Sequence, residues 1–511
     1  LLSEFRVLTE INKKKETNLL FDLGFRCLLL EMYMNTFVSA VQNQSARTTN
    51  GMRARKSTAS ACVDLFFKIG ASRGKDITKD FVAAYAENPE IALRIAQWVR
   101  DVRGGAGERE IFRQILKYLD KHNPSDAAKL LMKVPEIGRW DDIFVVENKE
   151  NKYKAFAMLG DALRAKNGLA AKWTPRKGEL AVEIRNFFGM TPKFYRKSLV
   201  ELTKVVEQDM CAKNWDEINF SHVPSLAHAR YKKAFFRNTQ EYAKYVAELV
   251  KDPKDRTVQV KINAGAVYPY DVLKGVIGAY HNNYNTTELG ALQAQWDALE
   301  NFIGDANVLP LVDVSGSMTC LAGGRNSTSK TSCLDVAVSL GLYCADKNTG
   351  KFKDTFLTFS EKPELLHLKG NIVQKVKQMV DSNWGMNTNL VKAMDKILKT
   401  AVEGSVPQEE MPEMLLIMSD MQFDQCARFD DSAMKMIARK FSEAGYDLPK
   451  IVFWNLNAHD NVPVKYDASG VALISGFSPQ IMVSVLGGDT EKFTPEAIMM
   501  KTVMVDRYNL V

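Results

Sequence analysis

The sequence predicts a chain in two parts: an all-helical array, then an α/β domain with a doubly wound sheet. Three observations carry this. The chain has 511 residues, too many for a single core. The apolar spacing changes near residue 305, from helical periodicity to alternating strand-like and helical runs. The charge changes at the same place: residues 1–300 hold 47 Lys/Arg against 36 Asp/Glu, and residues 301–511 hold 21 against 25. We therefore expect domains at 1–304 and 305–511.

In the first part, Ile91, Ile95, Trp98, Val99 and Val102 fall on one helical face, with Pro89 near its start. Further helical stretches lie near 57–70, 76–87, 108–121, 151–165, 191–213, 223–251 and 286–303. Strand patterns are few, and Thr257–Ile262 is the best of them. Dense helices with short turns predict stacked helix pairs of the HEAT type. In the second part, strand-like runs at Val308–Val314, Asp354–Ser360, Met414–Ser419, Lys450–Asn455 and Val471–Ser475 alternate with helical stretches. That order predicts a parallel sheet with ligands at the carboxyl ends of its strands.

Composition excludes several classes. The hydrophobic fraction is 46% and the charged fraction 25%, as in ordinary globular chains. No apolar run approaches the ~18 residues of a membrane span. The start, Leu-Leu-Ser-Glu-Phe, has neither Met nor a signal pattern and reads as truncated or processed. Seven cysteines without a Cys-x-x-Cys pair point to reduced thiols in a cytoplasm. Cys320 and Cys333 flank a polar loop, and this reading disfavours a bridge between them. No nucleophile elbow, zinc-protease motif or kinase set is present, so no catalytic site is expected. The segment from Gly323 to Thr331 resembles a phosphate-binding loop only faintly, because Ser329 stands where the Gly before the Lys is needed.

The clearest chemistry follows the first strand. Asp313-Val-Ser315-Gly-Ser317 places a carboxylate and two hydroxyls on a strand-end loop. A hard divalent ion takes such oxygen ligands and keeps several waters, which suits magnesium. Thr388, just before a helical stretch, and Asp420, at the end of Met414–Ser419, extend the set to five. The competing reading is a turn with a helix cap. The pattern resembles the metal-ion-dependent adhesion site of von Willebrand factor A domains. That resemblance implies direct or water-mediated binding of the ion by these positions, with a protein partner's carboxylate filling the last place.

The basic half offers three patches. Arg100, Arg103 and Arg109 surround a Gly104-Gly105-Ala106-Gly107 turn, which either approaches a phosphate or simply ends a helix. Lys172, Arg176, Lys177, Lys193, Arg196 and Lys197 alternate with Trp173, Phe194 and Tyr195. Residues 151–200 carry 11 basic and 3 acidic side chains. Cations interleaved with aromatics suit single-stranded nucleic acid, unless the rings are core and the cations a solvated face. Arg230, Lys232 and Lys233 form the third patch.

Ordered motifs run through these segments: Asp64-Leu-Phe-Phe-Lys-Ile-Gly, Arg100-Asp-Val-Arg-Gly-Gly-Ala-Gly-Glu-Arg, Val134-Pro-Glu-Ile-Gly-Arg-Trp-Asp-Asp and Met210-Cys-Ala-Lys-Asn-Trp-Asp-Glu-Ile-Asn. Val223-Pro-Ser-Leu-Ala and Lys261-Ile-Asn-Ala-Gly-Ala-Val continue the set. Together they resemble a TROVE-like family of unassigned function, distantly related to Ro ribonucleoproteins, over nearly the whole chain. The resemblance implies a HEAT-like ring closed by a von Willebrand factor A domain. It also implies a non-enzymatic role in holding small structured RNA or single-stranded RNA ends. The alternative is a metal-dependent assembly module, for example a component of a viral particle.

Overall fold

The computed structural model describes residues 46–252, 254–274, 276, 286–322, 331–359, 362–382, 388–424, 433–487 and 492–510. The faint phosphate-loop pattern at 323–330 and the Trp384–Asn387 part of the loop before Thr388 lie outside the described residues.

The first part is helical. Its elements are α1 (Ala61–Ile69), α2 (Thr78–Glu87), α3 (Pro89–Arg100), α4 (Arg109–His122), α5 (Pro124–Ile137), α6 (Lys149–Arg164) and α7 (Gly168–Trp173). There follow α8 (Glu179–Phe187), α9 (Pro192–Leu202), α10 (Val206–Ala212), α11 (Ser225–Asn238), α12 (Glu241–Leu249), α13 (Pro269–Leu273) and α14 (Thr286–Asp297). Local chemistry sets many of the boundaries. Asn88, Asn123 and Thr191 accept backbone N–H bonds as N-caps, each followed by Pro at the first helical position. From α1 to α7, consecutive helices pack on one another.

The second part is a six-stranded sheet in the order β3-β2-β1-β4-β5-β6. The strands are β1 (Val308–Asp313), β2 (Thr355–Phe359), β3 (Leu365–His367), β4 (Met414–Ser419), β5 (Lys450–Asn455) and β6 (Val471–Ser475). Helices α15 (Cys333–Lys347), α16 (Ile372–Val380), α17 (Leu390–Glu403), α18 (Ala433–Glu443), α19 (Met482–Leu486) and α20 (Pro495–Val503) alternate with them. All neighbours run parallel except β2 and β3, so the sheet is mixed, with one antiparallel edge. Val312 pairs with both Thr358 and Met418, which places β1 at the centre, where strand order reverses.

One expected strand does not form. Thr257–Ile262 has no ladder partner among the described residues. Its backbone is satisfied by side chains instead: Ser221 Oγ accepts from Lys261 N, Tyr245 Oη donates to Lys261 O, and Arg256 donates to Val260 O. Alternation of side chains cannot make a strand where no neighbouring strand supplies bonds.

Contrary to the expectation that the chain is too long for a single core, the two parts share one hydrophobic core, which runs from Met52 to Tyr508. A smaller cluster around Phe220, Phe235 and Tyr242 holds α11 and α12 together. Both ends of the helical run rest on the α/β part: α1 packs on β6, α13 on α15 and α14 on α16. The α1–β6 seam is polar at its centre. Ser475 Oγ accepts from Gly70 N at 3.0 Å and donates to Phe66 O at 2.7 Å, while Asn455 Nδ2 donates to Phe67 O. The last residues return to α3, where Gln97 Nε2 donates to Tyr508 O, and Tyr508 Oη and Arg507 both donate to buried Asp101. Among the described residues, no helix is long and apolar enough to cross a membrane.

A methyl group on Gly70 would sit 2.5 Å from Ser475 O. Gly70→Ala is therefore expected to lower folding stability by roughly 1–3 kcal/mol, the usual cost of overpacking. Urea denaturation checks this, and an unchanged midpoint would argue against so tight a seam.

Candidate functional site: an oxygen-rich loop and a basic helix

Strands β1 and β4 lie side by side and end at the same edge of the sheet. Asp313, the last residue of β1, and Asp420, one residue past β4, therefore come together from positions more than a hundred residues apart in sequence. Asp313 Oδ1 accepts from Ser315 N at 2.9 Å, which curls the loop back over the strand end. Ser315 Oγ and Ser317 Oγ are 3.0 Å apart. Asp420 Oδ1 accepts from Gln422 N. Asp313, Ser315, Asp420 and Thr388 are buried, and Ser317 is exposed.

Thr388 lies beside the same loops but is tied differently. Its hydroxyl donates to Gln422 O at 3.0 Å, and its N–H is held by Asp424. A hydroxyl that donates its proton keeps lone pairs for another contact. Sequence reasoning missed Ser419, whose Oγ donates to Asp313 Oδ2 at 2.5 Å. It also missed a strap formed by the chain before α1. Thr48 Oγ1 donates to Phe423 O, Thr49 N to Gln422 Oε1, and Asn50 Nδ2 to Gln422 O. No residue pattern in 46–55 announces that contact.

The electrostatics of the loop are unbalanced. Burial, and then the like charge of Asp420, raise Asp313 to about 7, against the weaker opposing effect of the Ser419 and Ser315 bonds. The two buried carboxylates, with the Ser315 and Ser419 hydroxyls on Asp313, form a hard-oxygen donor set, and Lys75 acts on Asp420 from the helical part. A donor set of that chemistry fits a divalent cation.

The basic patches separate on inspection. Arg100 is buried, with its Nε 2.7 Å from Asp142 Oδ2, and Arg113 occupies the other carboxylate oxygen. Its guanidinium is committed to the core, so the expectation of a nucleic-acid contact there is corrected. The Gly-rich turn is a helix end: Gly105 N, Ala106 N and Glu108 N donate to Asp101 O, Trp98 O and Val99 O. Those N–H groups are not available to a phosphate. Arg103 is exposed, and Arg109 pairs with Glu110.

Helix α9 presents a different face. Tyr195 and Leu199 are buried, and Tyr195 Oη donates to Pro175 O. Lys193, Phe194, Arg196 and Lys197 are exposed, with Phe194 at 58%. None of these three cations has a carboxylate partner among the described residues. Arg176 is also exposed and donates to Thr203 Oγ1, which fixes it beside the end of α9. Lys177 is exposed, whereas Lys172 is half-buried between Trp173 and Glu207. On α11, Arg230 and Lys233 are exposed and Lys232 is half-buried; burial lowers the pKa of Lys232.

Comparison with known proteins places the chain among relatives. A protein of Acanthamoeba polyphaga mimivirus, uncharacterized protein L728, is 30% identical, over 89% of this chain and 86% of that one. The chain belongs to the family of that viral protein. Two family models also match: the DUF2828 domain of unknown function at residues 48–139 and 181–308, and the DUF7788 domain of unknown function at 307–507. They meet where β1 begins. The solved Ro (RSR) protein of Deinococcus radiodurans aligns over 88% of this chain and 100% of that one, with a TM-score of 0.44 and 13% identity.

The raised pKa of Asp313 gives a pH signature. Its folded value of about 7 exceeds the ordinary 3.8, so its contribution is fully present below about pH 4 and is lost as pH rises through about 7. In chelating buffer, the melting temperature should fall over that window. Asp313→Asn should remove the fall, and an identical pH profile in that variant would contradict the assignment.

Proposed function

We propose that the protein is a non-enzymatic RNA-binding protein of the Ro type. The observation that carries this is the outer face of α9. It joins three cations, without a carboxylate partner among the described residues, to a solvent-exposed Phe194 while Tyr195 and Leu199 anchor the helix. Cations neutralise phosphates at a salt-dependent gain, and an exposed ring stacks on an unpaired base. Arg176 and Lys177 extend the face toward the preceding turn, and the excess of base over acid in residues 151–200 supports it. The TROVE-like motifs add a class of ligand: small structured RNA and single-stranded RNA ends.

The α/β part, on this reading, is a von Willebrand factor A-type domain. Asp313, Ser315 and Ser317, with Thr388 and Asp420 beside them, would hold Mg2+ directly or through water. When bound, the ion supplies positive charge between the two carboxylates and an open position for a partner's acid. That supports a second reading, a metal-dependent assembly module, favoured by the buried Asp313–Asp420 pair. Both readings can hold at once, because α9 and the oxygen loop belong to different parts of the chain.

Two experiments test the pair. Reversing Lys193, Arg196 and Lys197 to Glu should weaken binding of a single-stranded RNA oligomer at least tenfold, with unfolding unchanged. Phe194→Ala should cost roughly 1–3 kcal/mol of affinity. Equal binding by all variants removes the RNA reading. For the metal, Mg2+ should raise the melting temperature of the native chain but not of Asp313→Ala; a rise in both would place the ion elsewhere.

A further inference from the structure

The loop that carries Ser317 leads directly into a second chemical feature. Cys320 Sγ and Cys333 Sγ are 3.7 Å apart. The backbone brings them together: Leu321 and Ser332 form an antiparallel bridge, Cys333 N donates to Cys320 O at 3.0 Å, and Ala322 N donates to Thr331 O. Cys320 and Cys333 are thus directly opposed. Such pairs have Cα atoms ~5.5 Å apart, within the ~4.4–6.8 Å span of disulfides. The sulfurs must close from 3.7 Å to a bonding distance of about 2 Å.

The two thiols differ in access. Cys320 is partly exposed and Cys333 is fully buried, with its Sγ donating to Leu456 O. Asn457 Nδ2 donates to Cys320 Sγ at 3.5 Å, and Asn457 is itself held by Lys75 from the turn after α1. One sulfur faces a reagent while the other waits behind it. Among the described residues, Cys62, Cys211 and Cys344 have no such partner thiol.

We propose that Cys320 and Cys333 are a reversible dithiol–disulfide pair, a redox modification site at the exit of the Asp313–Ser317 loop. The co-reactant is a low-molecular-weight disulfide of the glutathione class. The Cys320 thiolate attacks one of its sulfurs, forming a mixed disulfide and releasing one thiol. The Cys333 thiolate then attacks Cys320 Sγ, forming the internal bond and releasing the second thiol. One external disulfide is reduced, one protein dithiol is oxidised, and the two protein protons leave on the two thiols. The bond links Cys320, just after the turn Gly316–Thr319, to the first residue of α15. This proposal does not rest on the RNA reading.

The test uses the full chain in graded mixtures of reduced and oxidised glutathione, quenched by alkylation and mapped by mass spectrometry. The expected product is a Cys320–Cys333 linked peptide, two hydrogens lighter than the dithiol, whose fraction follows the ratio and returns to zero in excess reduced glutathione. The Cys211→Ser variant should behave identically, and Cys333→Ala should arrest Cys320 as the mixed disulfide. A glutathione adduct that persists on Cys320 in the native chain overturns the proposal. So does a link from Cys320 to any other cysteine, an unreacted pair, or a bond that survives excess reduced glutathione.

Discussion

Helix α1 ends in carbonyls that have no partner inside the helix, and the α/β part supplies it with donors. Ser475, the last residue of β6, bonds both Phe66 O and Gly70 N, and Asn455, the last residue of β5, bonds Phe67 O. A helix end buried without such partners would leave several backbone groups unsatisfied, each costing ~1–3 kcal/mol. The carboxyl edge of the sheet, which carries Asp313 and Asp420, is therefore also the anchor of the helical part. From α1 the helices follow one another outward, and α13 and α14 return to α15 and α16. The turn after α1 carries Lys75 to the loops beside Asp420, so the oxygen site and the helical part are electrostatically joined.

The division of charge follows from the same arrangement. Acidic groups of the α/β part converge because parallel strands end together. Basic groups of the helical part stay apart because each helix has its own outer face. On α9 the apolar spacing puts Tyr195 and Leu199 inward and leaves Lys193, Phe194, Arg196 and Lys197 outside. Three cations and a ring share this solvent face with a single acid, Glu201, one turn beyond Lys197, and gain little from folding and much from a polyanion.

Much of this was legible in the sequence, and the exceptions have physical causes. β1, β4, β5 and β6 coincide with apolar runs because central strands are covered on both faces. β3 escaped notice because its three residues, Leu365–His367, are too few to establish an alternation. The Asp313–Ser317 loop was readable because its donors are local. Ser419 was not, since a hydroxyl ending an apolar strand looks like one more ladder residue. Arg100 and Lys193 look alike as letters, but Asp142, which consumes Arg100, lies 42 residues further on. The strongest clue was the company Arg100 keeps, on a helix whose inner face carries Ile95, Trp98 and Val99. Cys320 and Cys333 meet only because Leu321 and Ser332 bridge, a contact no spacing rule reveals.

The proposed binding of RNA by the basic helical face runs through phosphates, with stacking as a second term. The most direct measurement is the affinity of the intact chain for a single-stranded RNA oligomer as a function of salt. Log affinity should fall linearly with log salt, with a slope of about −0.7 for each phosphate neutralised, and depend little on sequence. Affinity that does not change with salt, or no RNA binding at low salt, would contradict it.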